Sequence, residues 1–488
     1  MIKPSSILFF LIILIFYYIF LFDSVHSYFS QDDFFHLRAI HQKSIKDIPK
    51  FFMGVSPEYG FFRPLPRETY NLLMFKSFGL NPLPFHIVNL LIIIINSFLL
   101  FLLIKQLISN FSLSLLTSIL YLTSSVHSIE LYYLGSVQQL MATMFLIISS
   151  LFFVKYLREK KLNNYLVSFL SYLLALLCHE LAIVQPGILL LLSFFTFKRK
   201  EQSFSGIIFK LLPFALLSLL HSLFIMNISL PKQQVYVPLL SLKGMVNNLV
   251  WYFLWSFGLP ESLVDFIGPG LRVNLNFFKW FSNYSLLVFS ALGLAMFLLL
   301  LTVLLQRGKV LINKSTFLFL SLFLISVVPF LFFPQHKFVY YLSFAIIWFC
   351  ACLSTILSWK SKKLRISSII IIFCYLLISY QTTRFYETTY WAAKRAAAAK
   401  VILQDLKQAY PRVETNTIFY IIDDLSYPNI AKEWGTSSRQ AFYILSGSDA
   451  LKLLYSDPSI ETYYQATGGL PGSIDKKRVI NFVAKFPY

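Results

Sequence analysis

LPFHIVNLLIIIINSFLLFLLI, residues 83–104, holds no charged side chain in 22 positions. That is the length an α-helix needs to cross about 30 Å of bilayer hydrocarbon. Comparable apolar runs stand at roughly 6–22, 110–129, 134–156, 163–179, 181–197, 205–226, 281–305, 316–333, 338–358 and 366–381. The composition follows from them. The 488 residues are 57% hydrophobic and 13% charged, with 52 Phe, and the mean hydropathy is +0.67, where a soluble chain carries about 25% charge. A backbone inside lipid must satisfy its own hydrogen bonds, which a helix does. The pattern predicts an all-α polytopic membrane protein with about eleven transmembrane helices.

Residues 244–267 (GMVNNLVWYFLWSFGLPESLVDFI) are apolar and Trp-rich but interrupted by Gly258 and Pro260. By composition they span, re-enter or lie at the interface. Charge decides between these. The basic clusters are Lys155/Arg158/Lys160/Lys161, Lys198/Arg199/Lys200, Arg307/Lys309/Lys314 and Lys360/Lys362/Lys363/Arg365. Short cytoplasmic loops concentrate Lys and Arg. All four clusters share one side only if 244–267 does not fully cross. The N-terminus is then cytoplasmic, and the 23–82 loop, the 227–280 segment and the tail from about 383 are outside, on a plasma (cell) membrane protein. Glu159 and Glu201 are the acids this map leaves in the cytoplasm.

The net charge of +20 reads as this orientation signal, suited to anionic headgroups, and not as a nucleic-acid footprint. Cys178, Cys350, Cys352 and Cys374 lie in apolar runs, with no disulfide framework or zinc spacing. LFDSVHSYFS follows the first run without a small-residue cleavage site, so the run reads as an uncleaved first span.

Two units are expected, a transmembrane domain over 1–382 and an extracytoplasmic domain over 383–488. The 23–82 loop contains ETYNLLMFKSFGL, which suits a helix on the membrane surface, punctuated by Pro57, Pro64, Pro66, Pro82 and Pro84. In the tail, WAAKRAAAAKVILQDLKQAY reads as an amphipathic helix stopped by Pro411. TIFYII reads as a strand, AFYILSG as a possible strand and SDALKLLYS as a helix, and Gly468, Gly469, Pro471 and Gly472 mark a turn. About a hundred residues suffice for a small α/β domain.

The chemistry-bearing residues cluster in the predicted outer segments. Asp32-Asp33 in SQDDFFHLRAI follows the first span by about ten residues. A carboxylate at a membrane surface can take the proton of a hydroxyl that attacks an anomeric carbon. Its neighbour can raise that base's pKa, hold the acceptor or help bind a metal. The same pair also suits a loop start or a helix N-cap. Arg63 in GFFRPL, with Arg67 nearby, suits bidentate contact with phosphate, or pairing with Asp32 or Glu58. Glu180 in CHE, at the end of a span, needs a partner or a water-filled cavity. It is placed to position a substrate, assist Asp32, cap the next helix or bind Lys337. His336-Lys337 opens a late span, where a cation can hold a lipid-linked phosphate leaving group or serve as a snorkelling anchor. His86 and Asn89 read as an interhelical hydrogen-bond site. Gln138, Gln139 and Glu130 are expected at the same outer mouth. No Gly-rich phosphate loop, HExxH or GxSxG is present.

In this order and spacing the chain resembles a C-type (GT-C) polytopic glycosyltransferase of the protein O-mannosyltransferase-like branch. QDDFF after the first span, FFRPLPRETYNLLMFKSFGLNPLPFHIVNLLI, HELAIVQP and QHKFVYYLS carry the resemblance over most of 1–358. It implies Asp32 as base with Asp33 its neighbour, Glu180 as the family's acidic residue, and Lys337 with His336 where an Arg is commoner. His179 replaces the usual Lys, and the tail lies beyond the shared core. The resemblance further implies a polyprenyl-phosphate sugar donor, a protein, lipid or glycan acceptor on the extracytoplasmic side, and an inverting displacement. Cofactor use is open; if a divalent cation takes part, Asp32 and Asp33 are its candidate ligands. The alternatives are an O-antigen-type polymerase or ligase using a lipid diphosphate, and a transporter, against which the absence of matched halves speaks.

Overall fold

The computed structural model of the chain describes residues 11, 12, 15, 18–55, 60–196, 204–227, 237–268, 272–306, 308, 309, 311–358, 362–389, 391–427, 435–472, 474 and 476–486. Most of the first expected span lies outside these residues, as do Glu58, Lys198, Arg199, Lys200, Glu201, Arg307 and Lys360. Among the described residues the chain is mostly helical, with small sheets.

The first loop folds into α1 (Asp32–His41), α2 (Ile48–Phe51), a π-helical turn at Pro64–Tyr70 and α3 (Asn71–Phe78). Pro64 and Pro66 fall in the first turn of that π-helical segment, where the amides they lack would have no intrahelical partner. The apolar runs form α4 (Leu83–Ile108), α5 (Phe111–Leu122), α6 (Val126–Tyr132), α7 (Val137–Glu159), α8 (Leu162–Leu176), α9 (Gln185–Thr196) and α10 (Phe204–Met226). Next come α11 (Leu242–Ser256), the antiparallel pair β1 (Ile267–Gly268) and β2 (Arg272–Val273), and α12 (Asn276–Trp280). They lead to α13 (Ser282–Leu305), α14 (Lys314–Leu331), α15 (Ala345–Leu357) and α16 (Lys362–Thr389). Local chemistry sets the reversals. Ser109 ends α4 in the left-handed region at φ 58, and the Asn110 side chain accepts from the Leu113 amide to start α5. Small hydroxyls let the helices approach. Ser97 and Ser118 each donate to the other's carbonyl across α4 and α5, and Thr316 meets Thr355 across α14 and α15.

Among the described residues six stretches are long and apolar enough to cross a membrane, 83–108, 134–159, 204–226, 282–305, 314–331 and 364–409, and four apolar helices are shorter, 111–122, 162–176, 180–196 and 345–357. The expected single span at 110–129 is broken at Thr123–Ser125. His127 closes the break, its Nε2 meeting the carbonyl of Tyr121 at the end of α5 and its Nδ1 meeting Glu130 at 2.7 Å.

Lys314 donates to the carbonyl of Phe195, which joins the start of α14 to the end of α9. The Tyr165 hydroxyl donates to the carbonyl of Lys210, which brings the start of α10 beside α8. Residues 244–267 form no continuous helix. The Leu239 amide donates to the Phe332 carbonyl, Asn248 to the Leu331 carbonyl, and Glu261 accepts from the Val339 amide. Both ends of α11 are thus tied to the same short stretch, Leu331–Val339.

The tail contains α17 (Trp391–Ala409), β3 (Ile418–Ile422), α18 (Ser437–Ile444), α19 (Asp449–Tyr455), β4 (Glu461–Tyr464) and β5 (Val479–Val483). The sheet runs β4-β3-β5, all parallel, with Tyr420 opposite Tyr463 and Asn481. AFYILSG, expected as a strand, is helical: Ser437 to Gln440 start α18, and Ala441 and Ile444 are buried on one face at helical spacing. The expected boundary at 382/383 falls inside α16. The tail also shares an apolar core with the first loop, in which Phe29, Phe34 and Leu37 pack with Ala399, Ile402, Leu403, Phe419 and Ile444.

Candidate functional site

α1 places the acidic pair. It begins directly after Gln31, which adopts φ 53, a conformation L-residues rarely take, and whose amide donates to the Ile444 carbonyl of α18. The tail therefore holds the backbone where the acidic pair starts. From there the two carboxylates diverge. Asp32 lines a cavity of about 850 Å³, and its Oδ2 accepts from the Tyr133 hydroxyl at 2.7 Å. Asp33 is buried away from it. Its Oδ2 accepts from the Ser30 amide and its Oδ1 from the Gly135 amide, at 3.0 and 2.9 Å. Burial pushes its carboxyl up to about 8; the Ser30 and Gly135 amides pull against this and the Asp32 charge adds to it. Asp33 thus joins the start of α1 to the turn before α7. At Gly135 a Cβ would lie 2.8 Å from the Tyr133 ring, so the lack of a side chain there keeps the hydroxyl on Asp32.

The cavity gathers Arg63, Arg67, Gln138, Gln139, His179, His336 and Lys337 around Asp32. The π-helical turn puts two arginines on one acceptor: Arg63 Nη1 and Arg67 Nε donate to Gln138 Oε1 at 2.8 and 3.2 Å. Of the two pairings weighed from sequence, the one with Glu58 lies outside the described residues, and the one with Asp32 is not made. Among the described residues Arg63 binds Glu180, Nε at 2.9 and 3.0 Å and Nη2 at 2.6 Å. Glu180 therefore stands behind Arg63 and does not engage Lys337. Burial raises the Glu180 carboxyl, but the Arg63 guanidinium and its hydrogen bonds overcome this and hold it at about 2. Lys337 donates to the Pro334 carbonyl at 3.1 Å, and burial lowers its ammonium pKa against the pull of Asp265. Burial, with the Arg63 charge, holds His336 down to about 4. His336 is therefore neutral at neutral pH, and Arg63, Arg67 and Lys337 carry the positive charge on this wall.

The other expectations sort themselves. Glu130 is fully buried against His127 and does not line the cavity. His86 meets the Ser27 carbonyl and Asn89 donates to the Glu130 carbonyl, so both tie α4 to its neighbours. Among the described residues no three His, Cys, Asp or Glu side chains converge as metal ligands. Both oxygens of Asp33 are taken by amides, so the acidic pair presents no shared chelating face.

Sequence reasoning missed Tyr133, Trp391, Arg395 and Glu261 on the cavity wall. Glu261 accepts from the Val339 amide and from Trp391 Nε1, tying the 258–266 segment to the turn before α15 and to the start of α17. An acid just after Pro260 in an apolar segment was a readable signal; Tyr133, in ELYYLGS, carried none. Compared with known proteins, the chain matches no family model, no curated protein and no solved structure.

Proposed function

We propose that this chain is a membrane glycosyltransferase that moves a sugar from a polyprenyl-phosphate donor to a hydroxyl acceptor outside the cytoplasm. One observation carries the reading: Asp32 and the cations Arg63, Arg67 and Lys337 line one cavity, at the helix ends opposite the basic loops. The geometry of α7 supports that separation. It begins at Val137, next to the cavity-lining Gln138, and ends 23 residues and so about 33 Å away at Glu159, within the Lys155–Lys161 cluster. α14, α15 and α16 likewise each run between a basic loop and cavity-lining residues. With the basic loops in the cytoplasm, the cavity faces outward. On this reading about eleven spans of the GT-C kind carry the first loop and an extracytoplasmic α/β tail, and α11 lies in the membrane without crossing it.

The chemistry follows from the wall charges. The acceptor hydroxyl attacks the anomeric carbon and gives its proton to Asp32, which the Tyr133 hydroxyl orients. The bond from that carbon to the phosphate oxygen breaks, and its electron pair leaves with the phosphate. Arg63, Arg67 and Lys337 meet the charge that develops there. Attack opposite the leaving group inverts the centre. Asp33 and Glu180 act as positioning residues, Asp33 for α1 and Glu180 for Arg63.

The purified chain, given sugar on polyprenyl monophosphate and on polyprenyl diphosphate, is expected to transfer only from the first. Transfer from the diphosphate alone would mark a polymerase- or ligase-type enzyme, and sugar movement across the membrane without transfer a transporter. On the leaving-group side, Lys337→Ala is expected to weaken donor binding by about 1.5–3 kcal/mol, one charge-assisted hydrogen bond, and His336→Ala/Lys337→Ala by more. Unchanged donor affinity and turnover in the double variant would leave Lys337 as an interfacial anchor only. For topology, cysteines placed at Ser44 and Gln404 should react with an impermeant reagent from one side and a cysteine at Lys161 from the other. Opposite labelling of Ser44 and Gln404 would mean that 244–267 crosses.

A further inference from the structure

Gln31 breaks both local rules for its position. It is the N-cap of α1, where Asn, Asp, Ser, Thr and Gly are preferred, yet its side chain makes no capping bond. Its backbone stands at φ 53 and ψ −125, a region that glycine enters at no steric cost and other L-residues rarely adopt. Such strain persists only where the surroundings impose it, and it collects at active sites and ligand clamps. The Gln31 amide donates to the Ile444 carbonyl at 2.9 Å, and glycine would make the same bond. What glycine would not supply is the carboxamide. Gln31 lines the cavity beside Asp32. With its amide turned so that both its atoms are satisfied, its oxygen accepts from the Arg395 guanidinium. Arg395 in turn lies over the Trp391 and Tyr443 rings, 5.6 Å from each centroid. The carboxamide is thus oriented through its oxygen, and its NH2 group, which carries two donors, is turned away from Arg395.

We infer that Gln31 is an acceptor-binding residue, which rests on the glycosyl-transfer reading above: its carboxamide donates N–H to an oxygen of a neutral glycan, next to the hydroxyl that Asp32 deprotonates. Position decides which substrate it meets. Consecutive Cα atoms lie about 3.8 Å apart, so a group held by Gln31 lies within about one sugar ring of the base. In an inverting displacement the base's side belongs to the acceptor, and the leaving phosphate lies across the anomeric carbon. A carboxamide suits that place. It donates without adding charge next to Asp32, where a further cation would lower the pKa of the base and a further carboxylate would raise it. The neighbouring wall is aromatic. Trp391 packs 5.4 Å from Tyr133, and Tyr427 and Phe486 stand 5.1 Å apart; all four line the cavity. Such rings pack on the C–H faces of a sugar while its hydroxyls stay hydrogen-bonded, which favours a glycan over a peptide. The strained backbone is tolerated because the donor has to stand one residue from the base.

The test uses the full chain in lipid nanodiscs and reads two quantities: the unfolding temperature, and binding followed by tryptophan fluorescence. The probes are neutral disaccharides of gluco, galacto and manno configuration and a Thr-containing peptide of similar size. Gln31→Gly, Gln31→Ala, Gln31→Glu and Gln31→Asn all keep the amide that donates to Ile444. Gln31→Gly should unfold at a higher temperature than Gln31→Ala, since both lose the carboxamide and only glycine relieves the backbone. The wild-type chain should bind one of the disaccharides more tightly than the peptide. Gln31→Gly and Gln31→Ala should weaken that binding by about 2–10-fold, the size of one hydrogen bond. Gln31→Glu should weaken it too: its carboxylate still accepts from Arg395 but has no N–H to give. Gln31→Asn keeps a carboxamide and tolerates positive φ, so it should retain part of the affinity. The inference is overturned by a wild-type chain that binds none of the disaccharides or prefers the peptide, by sugar affinity unchanged in Gln31→Ala or in Gln31→Glu, or by equal unfolding temperatures of Gln31→Gly and Gln31→Ala. Because binding is read and not transfer, Gln31-dependent sugar binding by a chain that never transfers sugar from a polyprenyl phosphate would overturn the glycosyltransferase reading and leave the sugar subsite standing.

Discussion

Asp32→Asn is expected to reduce sugar transfer by at least about 10²–10⁴-fold, the usual contribution of a positioned general base, while the protein folds and binds donor lipid as before. The substitution is well isolated by its surroundings. Asp32 accepts one hydrogen bond, from the Tyr133 hydroxyl, and a carboxamide oxygen can accept the same bond. The contacts that hold α1 run through its neighbours: the Gln31 amide to Ile444, and Asp33 to Ser30 and Gly135. What the amide cannot do is take the acceptor's proton. Single-turnover transfer by purified wild-type and Asp32→Asn chains, with donor binding measured in parallel, reads the two effects separately. Wild-type turnover in the variant would remove Asp32 from the chemistry. Asp33→Asn should behave differently. Both Asp33 oxygens accept from amides, and an Asn turns an NH2 group onto one of them, so this change should lower stability along with activity.

The acidic pair shows what sequence reading could and could not say. Two adjacent carboxylates beyond an apolar run mark a candidate site, because little in packing favours them there, and Asp32 does line the cavity. Which of the two faces the cavity was not legible. Successive residues at a helix start point in different directions, and the answer depended on Gly135, a hundred residues away, offering its amide to Asp33. Arg63 and Glu180 each stood out as candidate residues for the same reason. Their pairing was not, since 117 positions separate them and Asp32, Glu58 and Lys337 were equally plausible partners by charge alone.

The fold divides in the same way. Apolar runs in 83–104, 205–226 and 281–305 map onto α4, α10 and α13 within a few residues, because a long run with at most one charge has one stable form in lipid. The run at 110–129 misled because His127 hydrogen-bonds the Tyr121 carbonyl and the Glu130 carboxylate just past the run, which permits a break that hydropathy averages over. In the tail, TIFYII reads as a strand from its β-branched and aromatic residues. AFYILSG has the same composition, yet it forms the end of α18. The preceding Ser-Arg-Gln residues begin the helix, and Ala441 and Ile444 bury one face of it against the core that α1 shares. Tertiary burial overrode local preference there, and it also brought Arg395 and Ile444 to Gln31, a contact no local pattern announces.

The Arg63–Glu180 pair separates structure from function more sharply than any single residue of the site. Both side chains are mostly buried, and removing one partner of a buried pair leaves the other uncompensated. Arg63→Gln is expected to cost about 3–5 kcal/mol of stability, toward the lower end because the Glu180 side chain keeps 22% exposure. The pH dependence has a fixed sign. Glu180 is held at about 2 in the fold, below its ordinary value of 4.5, so the pair's stabilisation is complete above 4.5 and lost as pH falls through about 2. In Arg63→Gln that acid limb should shrink, with burial raising the Glu180 pKa against only His179 and the Glu180 backbone amide. Arg63→Gln/Glu180→Gln should recover most of the lost stability, since no charge is left unpaired. If Arg63 meets the leaving phosphate, donor affinity stays low in the double variant even though the fold is restored. Thermal unfolding across pH, with donor-lipid titration of the wild-type chain, both single variants and the double, closes the cycle. Full recovery of donor affinity together with stability would make Arg63 a structural residue and leave Arg67 and Lys337 to hold the phosphate.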